Sequence, residues 1–260
     1  MKHETLLYEQ KDNVGILTLD RPEHLNAINE EMIEELERFW GEKMYDLKTR
    51  VIILTGAGEK SFCGGLDMKE TTPKVFKLKQ GEAYRFQMKI SRLQLLMRQV
   101  PQPIICAIHK SAVGGGFSFA MASDVRIITP DARFSAAYIN IGLGGADMGS
   151  SYFLPRLIGA GRAYEFLLTG DFLGADEALK LGFVSRIVPY EDLMPTAMEI
   201  ANKMVSKNPL GLRLTKEAIN QNLDAGGLEQ ALNMEDRNQV MCILANQIQR
   251  GGYSPLKGED

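Results

Sequence analysis

The chain has 260 residues, 45% of them hydrophobic, with 30 Lys and Arg against 33 Asp and Glu for a formal net charge of −3. At this length folding buries roughly three quarters of the extended chain's surface, so a core forms without disulfide or metal, and the charge balance offers no basic field for nucleic acid or an anionic membrane. Cys63, Cys106 and Cys242 are odd in number and lack CxxC spacing, which argues against a disulfide framework and a zinc site and points to the cytoplasm.

Met1-Lys2-His3-Glu4 leads directly into a strand pattern. With no leading apolar run of about 7–15 residues and none of about 18 anywhere, neither export nor a membrane span is expected. Residues 6–9 and 14–19 read as a β-hairpin around a polar turn, and Arg21-Pro22 ends the second strand. Asn29 suits the N-cap of a helix whose apolar positions Met32, Ile33, Leu36, Phe39 and Trp40 share one face. A β-branched run, 51–55, precedes Gly56-Ala57-Gly58-Glu59-Lys60-Ser61. That segment lacks the glycine a P-loop needs before its lysine, and the dinucleotide pattern fails at Ser61.

Two later segments belong together: Ser61-Phe62-Cys63-Gly64-Gly65-Leu66-Asp67-Met68 and Ser111-Ala112-Val113-Gly114-Gly115-Gly116-Phe117. Each follows a strand-like run and leads toward helical spacing. Glycine there lets bare backbone approach a ligand, and the free N–H groups of a first helical turn point outward. Facing one another, such turns would form an oxyanion hole with one N–H from Leu66 and one from Gly115; the plainer alternative is a pair of ordinary glycine turns. Between them, Pro73 interrupts a charged stretch over 67–81, and 82–100 reads as a helix stopping at Pro101. His109 ends the strand at 104–108 and reads as a solvent-edge or satisfied histidine, and Cys63 as small-residue packing. Strand, glycine loop and helix recur from Val51, from Ile104 and more loosely from Val125, which suggests a stacked superhelix. From Met148 onward the spacing is helical apart from 183–188. The division expected is a core over 1–195 and a helical C-terminal region over 196–260.

The two glycine segments resemble the signature loops of the crotonase (enoyl-CoA hydratase/isomerase) family. The likeness continues through Leu19-Asp20-Arg21-Pro22-Glu23-His24-Leu25-Asn26-Ala27-Ile28-Asn29, Asp124-Val125-Arg126-Ile127-Ile128, Leu154-Pro155-Arg156-Leu157-Ile158-Gly159 and Leu168-Thr169-Gly170. The resemblance implies an α/β spiral of ββα superhelical turns with a helical C-terminal trimerisation region. It also implies an acyl-CoA thioester as substrate, no cofactor beyond the CoA of that substrate, no metal, and a homotrimer or dimer of trimers. It assigns the oxyanion donors to Leu66 and Gly115, and the CoA channel to backbone around Ala27 and Leu66-Asp67-Met68-Lys69. Asp67 itself reads as a loop-bracing carboxylate.

Family hydratases carry two glutamates for proton transfer, and here the chain departs from them. Ser118 and Tyr138 stand at those positions, and neither group is a good base near neutral pH; both are expected to line the substrate site. Asp147 resembles the aspartate before a glycine in the family's dienoyl-CoA isomerases. It also precedes a helical run, so N-cap and catalytic base are both open roles. The expected function is an enoyl-CoA hydratase/isomerase type reaction, with Asp147 favouring single-base isomerisation. Alternatives are thioester hydrolysis on the same fold and catalytically silent binding of CoA thioesters.

Overall fold

The computed structural model describes residues 4–249; residues 1–3 and 250–260, including the end of the expected C-terminal region, lie outside the described residues. In chain order the elements are β1 (Leu6–Lys11), β2 (Val14–Leu19), α1 (Glu30–Lys43), β3 (Val51–Gly56), α2 (Thr72–Val75), α3 (Gln80–Gln99), β4 (Ile104–Ile108), β5 (Ser111–Val113), α4 (Gly115–Ala122), β6 (Val125–Ile128) and β7 (Arg133–Ser135). There follow α5 (Ser150–Ile158), α6 (Ala160–Thr169), β8 (Leu173–Gly174), α7 (Ala175–Lys180), β9 (Arg186–Ile187), α8 (Tyr190–Val205), α9 (Pro209–Asn222) and α10 (Leu228–Gln249).

The hairpin β1–β2 is antiparallel, and β2, β3, β4, β6 and β9 then add in parallel to make one sheet. Parallel neighbours cannot be joined by a tight turn, so the chain leaves the sheet after each strand and returns through a crossover. On the way out it makes a second, shorter strand. Ile28 bridges Leu66, Cys63 bridges Ala112, and β5 pairs with β7, all in parallel. Each turn of the spiral is thus a long strand, a short strand and a helix, the ββα arrangement that the family resemblance implies.

Side chains alternate across the main sheet because successive Cβ atoms point to opposite faces. Ile52, Leu54, Ile104, Cys106 and Ile108 enter the core inside the spiral. Val51, Ile53, Ile105, Ala107 and Ile127 face outward and are covered by Leu193, Ala197 and Ala201 of α8. With both faces buried, these strands read as continuous apolar runs rather than alternating ones. The N-cap expectation at Asn29 holds, its Oδ1 accepting from Met32 N–H at 2.9 Å.

Three short elements differ from the sequence reading. Pro73 does not merely interrupt the segment after the first glycine loop: it sits in the first turn of α2, where its missing N–H is no loss. The strand expected over 183–188 contracts to β9, and β8, two residues long, carries no visible periodicity. His109 is neither at the solvent edge nor fully satisfied; it is 1% exposed with Nε2 unpartnered, its ring edge-on to Tyr190.

Ile53 is fully buried between the sheet and α8. Ile53→Ala is expected to destabilise the protein by about 2–5 kcal/mol, read as a lowered midpoint in urea denaturation with an unchanged slope.

Candidate active site

The two glycine loops come together because the parallel spiral lays one directly over the other. Phe62 N–H donates to His109 O at 3.0 Å, Cys63 N–H to Ser111 O at 3.1 Å and Val113 N–H to Cys63 O at 3.0 Å. The contact is too close for side chains. Gly65 has φ +86°, and a Cβ on it would lie 2.7 Å from Val113 O; a Cβ on Gly116 would lie 2.4 Å from Cys63 O. Only glycine combines that left-handed backbone with that approach.

Leu66 and Gly115 both end up with unpaired N–H groups among the described residues. In the parallel bridge, Ile28 N–H donates to Gly65 O at 2.7 Å and Asp67 N–H to Ile28 O at 2.9 Å. The flanking residues thus make the bridge bonds, and Leu66 N–H points away from it. Gly115 opens α4; the preceding Gly114 N–H is held by Ser135 O at 2.9 Å, and the helix's own bonds begin with Ser118 N–H to Gly114 O at 3.0 Å. Gly115 N–H is one of the donors any helix leaves free at its start. At the far end of α4, buried Arg126 donates to the carbonyls of Ala120, Ser123 and Phe183. The helix is also seated on a cluster of Phe117, Phe134 and Phe183, with ring centroids 5.0–5.6 Å apart.

The first loop is braced by ions. Arg21 Nη1 donates to Asp67 Oδ2 at 2.9 Å and to Ala27 O at 2.7 Å, while Nη2 reaches Glu70 Oε2 at 2.8 Å. Asp67 Oδ1 accepts from Lys69 N–H at 2.9 Å and Glu70 N–H at 2.8 Å. Burial opposes its charge, but the Glu70 N–H, the Arg21 guanidinium and the Lys69 N–H together hold its carboxyl below the usual range. Its carboxylate is therefore occupied within the loop, as the bracing reading expects. Ala27 is half-buried beside it, and Met68 and Lys69 are exposed at the lip. Arg21 lies within the family-like stretch 19–29, but its bracing role was not legible there because it depends on a loop more than forty residues away.

Ser118 and Tyr138 meet. Ser118 Oγ and Tyr138 OH are 2.7 Å apart and buried, and the Tyr138 ring packs near Gly114. Burial pushes the Tyr138 phenol well above its ordinary value, against the Ser118 hydrogen bond and with a further push from Asp147. The pair is a neutral hydrogen-bonded unit. Cys63 is also buried, its thiol pushed up to about 12 by desolvation, which makes it an inert packing residue.

Asp147 lies within electrostatic reach of Tyr138, and the adjacent Met148 packs toward Gly115. Burial raises its carboxyl from the usual value, against hydrogen bonds from Met148 N–H and Gln87. It does not cap α5. Gly149 holds the N-cap position without a side-chain bond, and Asp147 N–H instead donates to Ser150 Oγ at 3.0 Å. Asp147 Oδ1 accepts from Met148 N–H at 2.6 Å and from Gln87 Nε2. Met148 adopts φ +45°, unusual for a bulky residue and a sign of local strain. Gln87 was not visible as a site residue, because on the sequence it is one polar position in an amphipathic helix.

A cavity of about 750 Å³ lies between α3, α5 and α9, lined by Leu95, Met121, Phe153, Leu212 and Ile219 among others. Neither Leu66 nor Gly115 is among its lining residues. Among the described residues no group of three or more His, Cys, Asp and Glu could hold a metal ion, and no helix is long and apolar enough to cross a membrane.

Comparison with known proteins agrees with this architecture. The enoyl-CoA hydratase/isomerase family model matches residues 9–256. A Mycobacterium leprae protein named "probable enoyl-CoA hydratase echA12" is 38% identical over 237 residues, covering 90% of this chain and 80% of its own. The crystal structure of a probable enoyl-CoA hydratase/isomerase from Mycobacterium abscessus superposes with a TM-score of 0.85 at 35% identity, covering 93% of this chain and 91% of that one. A monofunctional enoyl CoA isomerase from M. smegmatis gives a TM-score of 0.72 at 34% identity, over 88% and 98% of the two chains. With the spiral fold and most of the sequence matched, the chain belongs to the enoyl-CoA hydratase/isomerase, or crotonase, family of acyl-CoA-processing enzymes.

Proposed function

We propose that the protein isomerises the double bond of an enoyl-CoA, with Leu66 and Gly115 N–H as the oxyanion hole and Asp147 as the single base. The observation that carries this reading is the buried Ser118–Tyr138 hydrogen bond. Two glutamates at these positions could hold and activate a water; a neutral serine–tyrosine pair whose hydroxyls satisfy each other lacks a group able to take its proton. Asp67 has both carboxylate oxygens hydrogen-bonded within its loop, whereas Asp147 keeps one oxygen that no described group donates to. The M. smegmatis relative named as a monofunctional isomerase is a precedent within the family for isomerisation alone.

The chemistry balances with one base. Asp147 takes a proton from C2 of a 3-enoyl-CoA, and the electron pair released is delocalised into a dienolate whose oxygen carries the negative charge between the two N–H groups. The protonated Asp147 then delivers the same proton to C4. The double bond moves to C2–C3, and the thioester carbonyl re-forms. Two preorganised donors are suited to this step, since losing one donor of this kind costs on the order of 3 kcal/mol of barrier. Backbone around Ala27 and residues 66–69 would line the CoA arm, with Ser118 and Tyr138 against the acyl group. Exposed apolar residues of α10, including Leu228, Val240, Ile243 and Ile248, suit burial in a homotrimer or a dimer of trimers. The neutral Ser118–Tyr138 pair also favours a second reading, CoA-thioester binding without turnover, which the same assay separates.

Turnover of crotonyl-CoA, 3-enoyl-CoA and 3,5-dienoyl-CoA is the test. The wild type is expected to convert an unconjugated enoyl-CoA, and Asp147→Asn and Asp147→Ala to lose about 100-fold or more of kcat, with thioester binding retained. Wild-type-like rates in both variants would remove Asp147 from the mechanism, and tight binding without wild-type turnover would favour the silent reading. Because the base must be ionised and burial raises its pKa, kcat/KM should fall with decreasing pH at a higher pH than an ordinary aspartate would give; a rate flat down to the usual aspartate range contradicts this. Tyr138→Phe leaves Ser118 Oγ buried without its partner and should cost about 1–3 kcal/mol of stability, measurable by chemical denaturation.

A further inference from the structure

We infer that Gln87 is a positioning residue for Asp147: its amide, presented from α3, shares Oδ1 with Met148 N–H and leaves Oδ2 as the atom that exchanges the proton. The inference rests on Asp147 being the base. Both donors fall on Oδ1, and no described group donates to Oδ2. A carboxylate is symmetric about its own axis, so an unpartnered one could rotate and present either oxygen. Two donors on one oxygen fix which is free.

The two donors have separate supports. Met148 N–H is delivered by the turn that Asp147 N–H to Ser150 Oγ at 3.0 Å and Ser150 N–H to Asp147 O at 2.9 Å close on each other. Gln87 comes from α3, sixty residues earlier in the chain. One carboxylate oxygen is thus held both from α3 and from the turn before α5.

A neutral donor matters here. A cation in place of the amide would orient the carboxylate equally well but would lower its basicity by direct charge attraction. Several charged side chains of the surrounding helices pair elsewhere. On α3, Lys89 pairs with Glu34 and Arg92 lies near Glu37; on α5, Arg156 pairs with Asp224; on α6, Arg162 pairs with Glu165 and Glu177. Arg85 of α3 is exposed, and the Tyr138 phenol, which stays protonated, is the titratable group in electrostatic contact with Asp147.

The test uses full-length protein and two exposed-site variants, Gln87→Leu, which removes the donor, and Gln87→Lys, which replaces it with a charged one. The Asp147 carboxyl is titrated directly by ¹³C NMR, its signal assigned by its loss in Asp147→Asn. Relative to wild type, its pKa should rise by about half to one unit in Gln87→Leu and fall by at least as much in Gln87→Lys, and the acidic limb of kcat/KM on the 3-enoyl-CoA should move with it in both directions. A merely structural role would lower activity without opposite shifts. Identical carboxyl titrations in the three proteins would overturn the inference while leaving Asp147 as base untouched. Opposite titrations with an unmoved pH–rate limb would overturn it through the underlying reading, since Asp147 would then be held by Gln87 but not used.

Discussion

The arrangement depends on one close backbone contact, the stacking of Gly65 and Gly116 against the carbonyls of Val113 and Cys63. It follows from parallel pairing. Each short strand lies beside the corresponding strand of the next turn, so Cys63 meets Ala112 and the loops after them are superposed. Leu66 and the helix start at Gly115 each lie one residue beyond the Gly65–Gly114 contact, and the N–H of each is left without a backbone partner among the described residues. One is free because a parallel bridge uses only the flanking residues' bonds, the other because every helix begins with free donors.

What such a scaffold does is decided by side chains around it, as expected where one fold serves several reactions. Here Ser118 and Tyr138 close on each other, Cys63 is an inert thiol, and Asp67 is committed to Arg21 and its own loop. Asp147 differs in having one oxygen hydrogen-bonded and one free, in a setting that raises its pKa through burial. A carboxylate with these properties can both accept and return a proton, which matches a reaction in which no atom is added to the substrate.

The apolar runs at 51–55 and 104–108 and the glycines beside them were legible because they obey local rules: strands buried on both faces are uniformly apolar, and tight backbone approach demands glycine. The family resemblance assigned the oxyanion donors to Leu66 and Gly115. It could not say that Ser118 and Tyr138 touch, since residues twenty positions apart meet only once β5 and β7 are paired. Asp147 looked equally suited to cap a helix until the structure placed Gly149 at the cap and Ser150 Oγ on the Asp147 N–H. Gln87 and the bracing role of Arg21 were hidden for the same reason as β8: each depends on a partner distant in sequence and leaves no periodicity of its own.

The proposed reaction is proton transfer by one carboxylate without addition of water. The most direct measurement is product analysis of a 3-enoyl-CoA incubated with the enzyme in ¹⁸O-labelled water, followed by mass spectrometry. The expected product is 2-enoyl-CoA free of the label. Accumulation of 3-hydroxyacyl-CoA carrying ¹⁸O would contradict it, because it would mean that the site activates water despite the neutral Ser118–Tyr138 pair.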